Sequence, residues 1–138
     1  MQPKGRIKRQ RPQIEINPES LDFVRWAHFE ITRNGHVSFR LGGSNMEPTI
    51  KYREMVTVAP IDVTTLQPGD IVLHCTPRDT AVVQRVVRFI YTPEGKFVIT
   101  RGDNCLLENA PVPVEYVIGQ IIAVERDGEQ ISLINPER

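Results

Sequence analysis

The stretch Gly42-Gly43-Ser44-Asn45-Met46-Glu47-Pro48-Thr49-Ile50 decides how the rest of this chain is interpreted. Just before it, Val37, Phe39 and Leu41 alternate with polar residues, which is typical of a strand buried on one face. The glycine pair then favours a sharp turn. We therefore predict a strand that enters a tight turn, with Met46 packed beneath the turn and the following proline fixing its exit.

Six further segments have strand patterns bounded by turn residues. They are residues 55–59, 71–75, 81–91, 96–101, 116–125 and 130–134. Many short strands and few helical patterns predict a mainly β fold, built as a strongly coiled sheet assembly.

One helix is predicted before the strands, over about residues 18–33. Asn17-Pro18-Glu19 offers an N-cap, a proline at the first helical position and an early acidic residue. Residues at helical spacing then form the face expected to pack on the sheet: Leu21, Val24, His28 and Ile31.

Length and charge indicate one domain, residues 17–138, preceded by a basic arm over residues 1–16. Lys plus Arg balances Asp plus Glu at 17 each, so net charge does not indicate a polyanionic partner and no nucleic-acid partner is expected. The arm either contacts nucleic acid or anionic lipid, or is a disordered solubilising tail, and we favour the tail.

The chain is expected to be cytoplasmic and to lack a membrane span. No run approaches the roughly 18 apolar residues that a span needs, and the first 13 residues lack the apolar centre of a secretory signal. Cys75 and Cys105 fit no metal spacing; free thiols are the default and a bridge is the lesser alternative. No metal or cofactor is expected, and a homodimer is left open.

Five boxes in this sequence resemble, in order, those of the superfamily that joins signal peptidase I with the self-cleaving LexA-type repressors. We call them the turn box (42–50), the Pro-Gly-Asp box (66–72), the base box (82–87), the Gly-Asp-Asn box (101–104) and the closing box (117–122). The resemblance runs from about Val37 to Val124. It implies a coiled, partly barrel-like antiparallel β assembly with one N-terminal helix.

The two positions that match the family's catalytic dyad hold amides. In the family, Ser precedes the Met of the turn box, and Lys or His precedes Arg-Val in the base box; here these positions are Asn45 and Gln84. A serine nucleophile needs a neighbouring base. Asn45 has no hydroxyl, and a carboxamide has no proton-accepting form near neutral pH, so the usual mechanism is not available to this pair.

Asn45 and Gln84 are expected to face each other and to hydrogen-bond as two amides; the competing interpretation has both side chains in solvent. Ser44 is the alternative nucleophile. It lies one place early, so its side chain should point away from the cleft unless the turn shifts register. His28, His36 and His74 are candidate bases by residue type alone.

Several neighbours carry secondary expectations. Asp103 matches an acid that braces the site in relatives, but a turn carboxylate that binds backbone N–H groups is the preferred interpretation. Arg85 is expected to point away from Gln84 and to be solvated or ion-paired. Arg53-Glu54 stands where relatives have Gly-Asp, so this turn need not use a positive φ and the cleft wall can differ in shape from that of relatives.

The leading functional hypothesis is a catalytically silent, signal-peptidase-like domain that binds a peptide or a partner protein in the former substrate groove. Gly43, Met46, Pro48 and Val82 are assigned to that groove. The alternative is an active soluble serine endopeptidase that processes a peptide or protein precursor, using Ser44 or a non-standard dyad. A LexA-type repressor fragment is disfavoured, because about 35 residues before the first strand are too few for a helix-turn-helix domain.

Overall fold

The computed structural model describes residues 21–134, which form one α-helix followed by eight β-strands. The helix is α1 (Leu21–Asn34), and the strands are β1 (Val37–Arg40), β2 (Met55–Ala59), β3 (Ile71–Cys75), β4 (Ala81–Thr92), β5 (Gly95–Arg101), β6 (Val112–Pro113), β7 (Val117–Arg126) and β8 (Glu129–Ser132). The strands form one antiparallel sheet in the order β1-β2-β7-β3-β4-β5-β6, with β8 paired to β7. The sheet curls into a half-barrel, which confirms the predicted mainly β fold with one helix.

Helix α1 covers one face of the sheet with Phe23, Val24 and Ala27, all buried. The Phe23 ring meets the Phe39 ring of β1 edge-on, with 4.9 Å between centroids. The prediction that His28 packs on the sheet was wrong, because His28 is exposed. Phe23 and Ala27 are four residues apart and centre the buried face, and one further residue turns the side chain about 100° away.

The predicted helix start at residues 17–19 and the basic arm over residues 1–16 lie outside the described residues. Within residues 21–134, no helix combines the length and the apolar character needed to cross a membrane.

The sheet is buried on both faces, and strand β3 shows this most clearly. Ile71 and Leu73 pack into a core shared with α1, whereas Val72 packs into a second core on the other face. The second core consists of buried aliphatic residues from the strands and the loops between them: Leu66, Val72, Val86, Val98, Val112, Val114 and Val117. Burial on both faces explains why β3 is almost continuously apolar.

Gly119, the glycine of the closing box, lies beside the end of β2, with which β7 pairs. A Cβ added at this position would lie 2.6 Å from the carbonyl oxygen of Ala59 and 2.7 Å from Cγ1 of Val58. Only glycine lets the two backbones approach this closely.

The segment between the turn box and β2 contains a β-bulge. Arg53 N donates to Leu41 O at 2.8 Å, and Leu41 N donates to Glu54 O at 2.9 Å, so two residues lie opposite one. Arg53 has a φ of 71°. This is the bulge type whose first residue is usually glycine. The turn thus uses a positive φ although it has no glycine at this position, because the pair of hydrogen bonds to Leu41 imposes the left-handed conformation on an arginine.

Candidate functional site

The turn box surrounds Asn45 with both buried and exposed residues. Met46 is completely buried in the α1-side core, as expected for packing beneath the turn. Because it has no exposed surface, its assignment to the groove was wrong. Gly43, Ser44 and Pro48 are exposed, and Asn45 is half-buried.

The two amides at the dyad positions lie close together but do not bond to each other. Asn45 Nδ2 lies 3.4 Å from the carbonyl oxygen of Val83, the residue that precedes Gln84. Gln84 is only 8% exposed, and its Oε1 accepts a hydrogen bond of 2.8 Å from Nδ2 of Asn109. The expected bond between Asn45 and Gln84 is thus replaced by separate partners, and Gln84 does not extend into solvent either.

The Gly-Asp-Asn box packs directly on the turn box. A Cβ added at Gly102 would lie 2.5 Å from Asn45 O and 2.8 Å from Cys105 Sγ. Next to it, Asn104 N donates to Asn45 O at 2.8 Å, and Asn104 Nδ2 donates to Ser44 O at 3.2 Å. The backbone around Asn45 is therefore held by this box, whatever side chain occupies position 45.

Arg85 is the centre of a network that joins four of the boxes. Its Nε and Nη2 donate to the two carboxylate oxygens of Asp103 at 2.8 and 2.7 Å, and its Nη1 donates to Gly69 O at 2.8 Å. Thr49 Oγ1 donates to the same carboxylate at 2.6 Å. Bidentate pairs of this kind are directional as well as strong.

The electrostatics of Asp103 follow from this network. The hydrogen bonds from Arg85, aided by Thr49, lower the pKa of the Asp103 carboxyl, and burial opposes them. The preferred interpretation of Asp103 as a turn carboxylate on backbone N–H groups was wrong, because its hydrogen bonds come from side chains. Arg85 is ion-paired, as expected.

A chain of polar side chains lies on the face of β4 that carries Gln84; it is buried at His74, Thr100 and Gln84 and reaches the surface at Asn109. His74 Nδ1 lies 2.8 Å from Cys75 O, which can only accept, so Nδ1 carries the proton. Nε2 then accepts from Thr100 Oγ1 at 3.3 Å, and Asn109 Nδ2 donates both to Thr100 Oγ1 at 3.1 Å and to Gln84 Oε1. Burial lowers the pKa of His74, which keeps the ring neutral at pH 7.

Sequence reasoning missed Thr100 and Asn109. A threonine within the apolar strand sequence Phe97-Val98-Ile99 was the available signal for Thr100, because a buried hydroxyl needs a partner. Asn109 lies in a loop 25 residues from Gln84, and no local pattern connects the two.

The described residues offer few groups for catalysis. The hydroxyl of exposed Ser44 makes no hydrogen bond to any side chain in residues 21–134, and the ring of His74 is enclosed with both nitrogens engaged. Cys75 and Cys105 are free thiols. Over the same residues, no group of three or more His, Cys, Asp and Glu is placed to hold a metal ion.

One stretch of β4, residues 81–84, has a backbone edge beside Asn45. β4 pairs with β3 over residues 81–85 but with β5 only from Arg85 onward. Val86 N and O bond to Asp70 and Gly69 on the β3 side, so by strand alternation the polar groups of Val83 point to the opposite side. Within the described part of the chain, no strand pairs with that side.

Comparison with models of known protein families, with curated proteins and with solved structures gives no match for this chain.

Proposed function

We propose that this chain is a catalytically silent, signal-peptidase-like domain that binds an extended peptide, or an extended segment of a partner protein, along β4. The observation that carries the proposal is the strand edge at residues 81–84, next to Asn45. A peptide that adds to such an edge gains main-chain hydrogen bonds and places alternate side chains in pockets.

The contacts between the boxes support the family part of the proposal. The turn, Pro-Gly-Asp, base and Gly-Asp-Asn boxes meet through Thr49, Gly69, Arg85 and Asp103. In the sequence these boxes are far apart, so their convergence on one network is an independent reason to treat them as parts of one site.

The side chains at the dyad positions suit binding better than hydrolysis. Asn45 and Gln84 can each donate and accept hydrogen bonds, as the peptide group does, but neither can take a proton from an attacking hydroxyl near neutral pH. An active peptidase using Ser44 would need a base beside the Ser44 hydroxyl, and the described residues place none there. We therefore do not propose that alternative.

The test is a titration of ¹⁵N-labelled protein with pooled short synthetic peptides, followed by mass spectrometry of the peptides. We expect amide shifts centred on residues 81–84 and on the turn around Asn45, with the peptides recovered intact. Shifts confined to α1, or no binding by any pool, would contradict the proposal.

Hydrolysis of the peptides would also contradict it, and the variant Ser44→Ala identifies the source. Cleavage that disappears in Ser44→Ala would establish the active-peptidase alternative. The double substitution Asn45→Ser with Gln84→Lys tests the family assignment separately, because gained cleavage would place both positions in one former active site.

A further inference from the structure

Residues 104–111, which we call the strap, connect the two substituted dyad positions. At its start, Asn104 bonds to the backbone carbonyls of Asn45 and Ser44. Near its end, Asn109 N donates to Thr100 O at 2.9 Å, and Asn109 Nδ2 donates to Gln84 Oε1 at 2.8 Å. The strap is therefore fixed at two points beside the strand edge: its first anchor holds Asn45, which contacts Val83 O, and its second anchor is Gln84 itself.

The middle of the strap makes few contacts that stabilise its closed position. Leu106 is 95% exposed and Leu107 is 80% exposed, so neither contributes burial that would resist opening. Glu108 pairs with Arg88, but both side chains are well exposed, and such pairs contribute little. A segment with few buried apolar contacts opens at low free-energy cost. The part-buried hydrogen bonds of Asn109 are thus the main restraint on the strap's second half.

Gln84 supplies the acceptor that this restraint requires. A lysine at position 84 carries only donors, so it could not accept from Asn109. The carboxamide oxygen accepts, and its burial makes the hydrogen bond stronger than it would be in water. Gln84 therefore lacks the general base of the family pattern and also supplies the acceptor that holds the strap through Asn109.

We propose that the strap is a lid beside the strand edge of β4, that the Gln84–Asn109 hydrogen bond latches it shut, and that its opening admits the peptide. The inference rests on the proposed function for the identity of what enters. The latch itself can be measured without any peptide.

Cys105 lies within the strap and provides the readout. Its Sγ lies 2.8 Å from the point where a Gly102 Cβ would be, so the thiol sits against the Gly-Asp-Asn box when the strap is shut. The experiment measures N-ethylmaleimide labelling of each cysteine by peptide mass spectrometry. Cys75 on β3, which is half-buried like Cys105, is the internal reference for changes that are not confined to the strap.

Gln84→Met keeps the size of the side chain and removes the acceptor. We expect Cys105 to label about fivefold faster, the effect of one lost hydrogen bond, while Cys75 labelling does not change. Asn109→Ala removes the same bond and also the one from Asn109 Nδ2 to Thr100 Oγ1, so its effect should be at least as large. The double variant should be no faster than Asn109→Ala alone. Gln130→Met, at an exposed position of β8, is the matched control and should alter neither rate.

Unchanged Cys105 labelling in both Gln84→Met and Asn109→Ala would overturn the latch. An equal rise in the labelling rate of Cys75 would also overturn it, as would rate increases of the two single variants that multiply in the double variant. With a peptide found by the titration above, Asn109→Ala should also speed association about fivefold. If labelling accelerates but no peptide binds any variant, the proposed function fails while the latch stands. If peptides bind but labelling is unchanged, the latch alone is wrong.

Discussion

Replacing Gly102 with alanine tests the contact on which the candidate site is built. The added methyl group would lie 2.5 Å from Asn45 O, 2.8 Å from Cys105 Sγ and 3.2 Å from Asn45 Cβ. Two of these atoms belong to a residue whose backbone is fixed by Asn104, so the neighbours cannot all move aside. The Gly-Asp-Asn box must separate from the turn box.

The expected loss has two parts. Overpacking a well-fitted site costs about 1–3 kcal/mol. Separation also lengthens the 2.8 Å hydrogen bond from Asn104 N to Asn45 O, and losing such a bond costs about 1 kcal/mol. We therefore expect Gly102→Ala to lower the free energy of unfolding by about 2–4 kcal/mol.

Urea unfolding followed by tryptophan fluorescence measures this loss, because the single tryptophan, Trp26, is partly buried against the α1-side core. With a slope of about 2 kcal/mol per molar urea, the midpoint should fall by about 1–2 M. Gly42→Ala is the matched control. A Cβ at Gly42 would meet nothing within 4 Å, so that variant should be unchanged or more stable by about 0.5 kcal/mol. Equal midpoints for the two variants would refute the close packing of the two boxes.

Three further predictions concern strain and pH. Arg53→Gly should raise the free energy of unfolding by about 0.5–1 kcal/mol in the same urea assay. The reason is that relief of the left-handed strain exceeds the extra conformational entropy of a glycine in the unfolded chain. A lower free energy of unfolding would show that the φ of 71° carries no strain. Hydrogen bonds from Arg126 lower the pKa of Glu54 from 4.5 to about 2. The stability that this carboxylate adds is therefore complete above pH 4.5 and disappears as the pH falls toward 2. In a carboxyl NMR titration, Arg126→Gln should return the pKa of Glu54 toward 4.5. Burial lowers the pKa of His74 below 6.5, so the unfolded chain takes up a proton on this ring before the folded chain does. The free energy of unfolding should therefore decline as the pH drops below 6.5. An NMR titration that gives the His74 imidazole a pKa above 6.5 would contradict this.

The strands could be predicted because their alternation is local. The predicted segment at residues 71–75 coincides with β3, and the segment at 55–59 coincides with β2. Strand β6 was missed because it is two residues long and contains Pro113, which cannot donate to a ladder and fits only at the sheet edge where it lies. The buried face of α1 was misjudged at His28 because helical spacing alone does not show which of two neighbouring stripes meets the sheet.

The candidate site was predictable in its positions but not in its side-chain partners. Asn45 lies beside Val83, the neighbour of Gln84 in β4. The partner of Gln84 could not be foreseen, because Asn109 reaches it from a loop that the sequence marks only by prolines and the absence of periodicity. Short-range patterns specify backbone elements, whereas contacts between loops depend on how the whole sheet curls.

The network centred on Arg85 holds the backbone framework of the site independently of the side chains at positions 45 and 84. None of its bonds to Asp103, Thr49 and Gly69 involves the side chain of Asn45 or Gln84. The side chains at positions 45 and 84 can therefore be exchanged while the backbone framework around them keeps its shape.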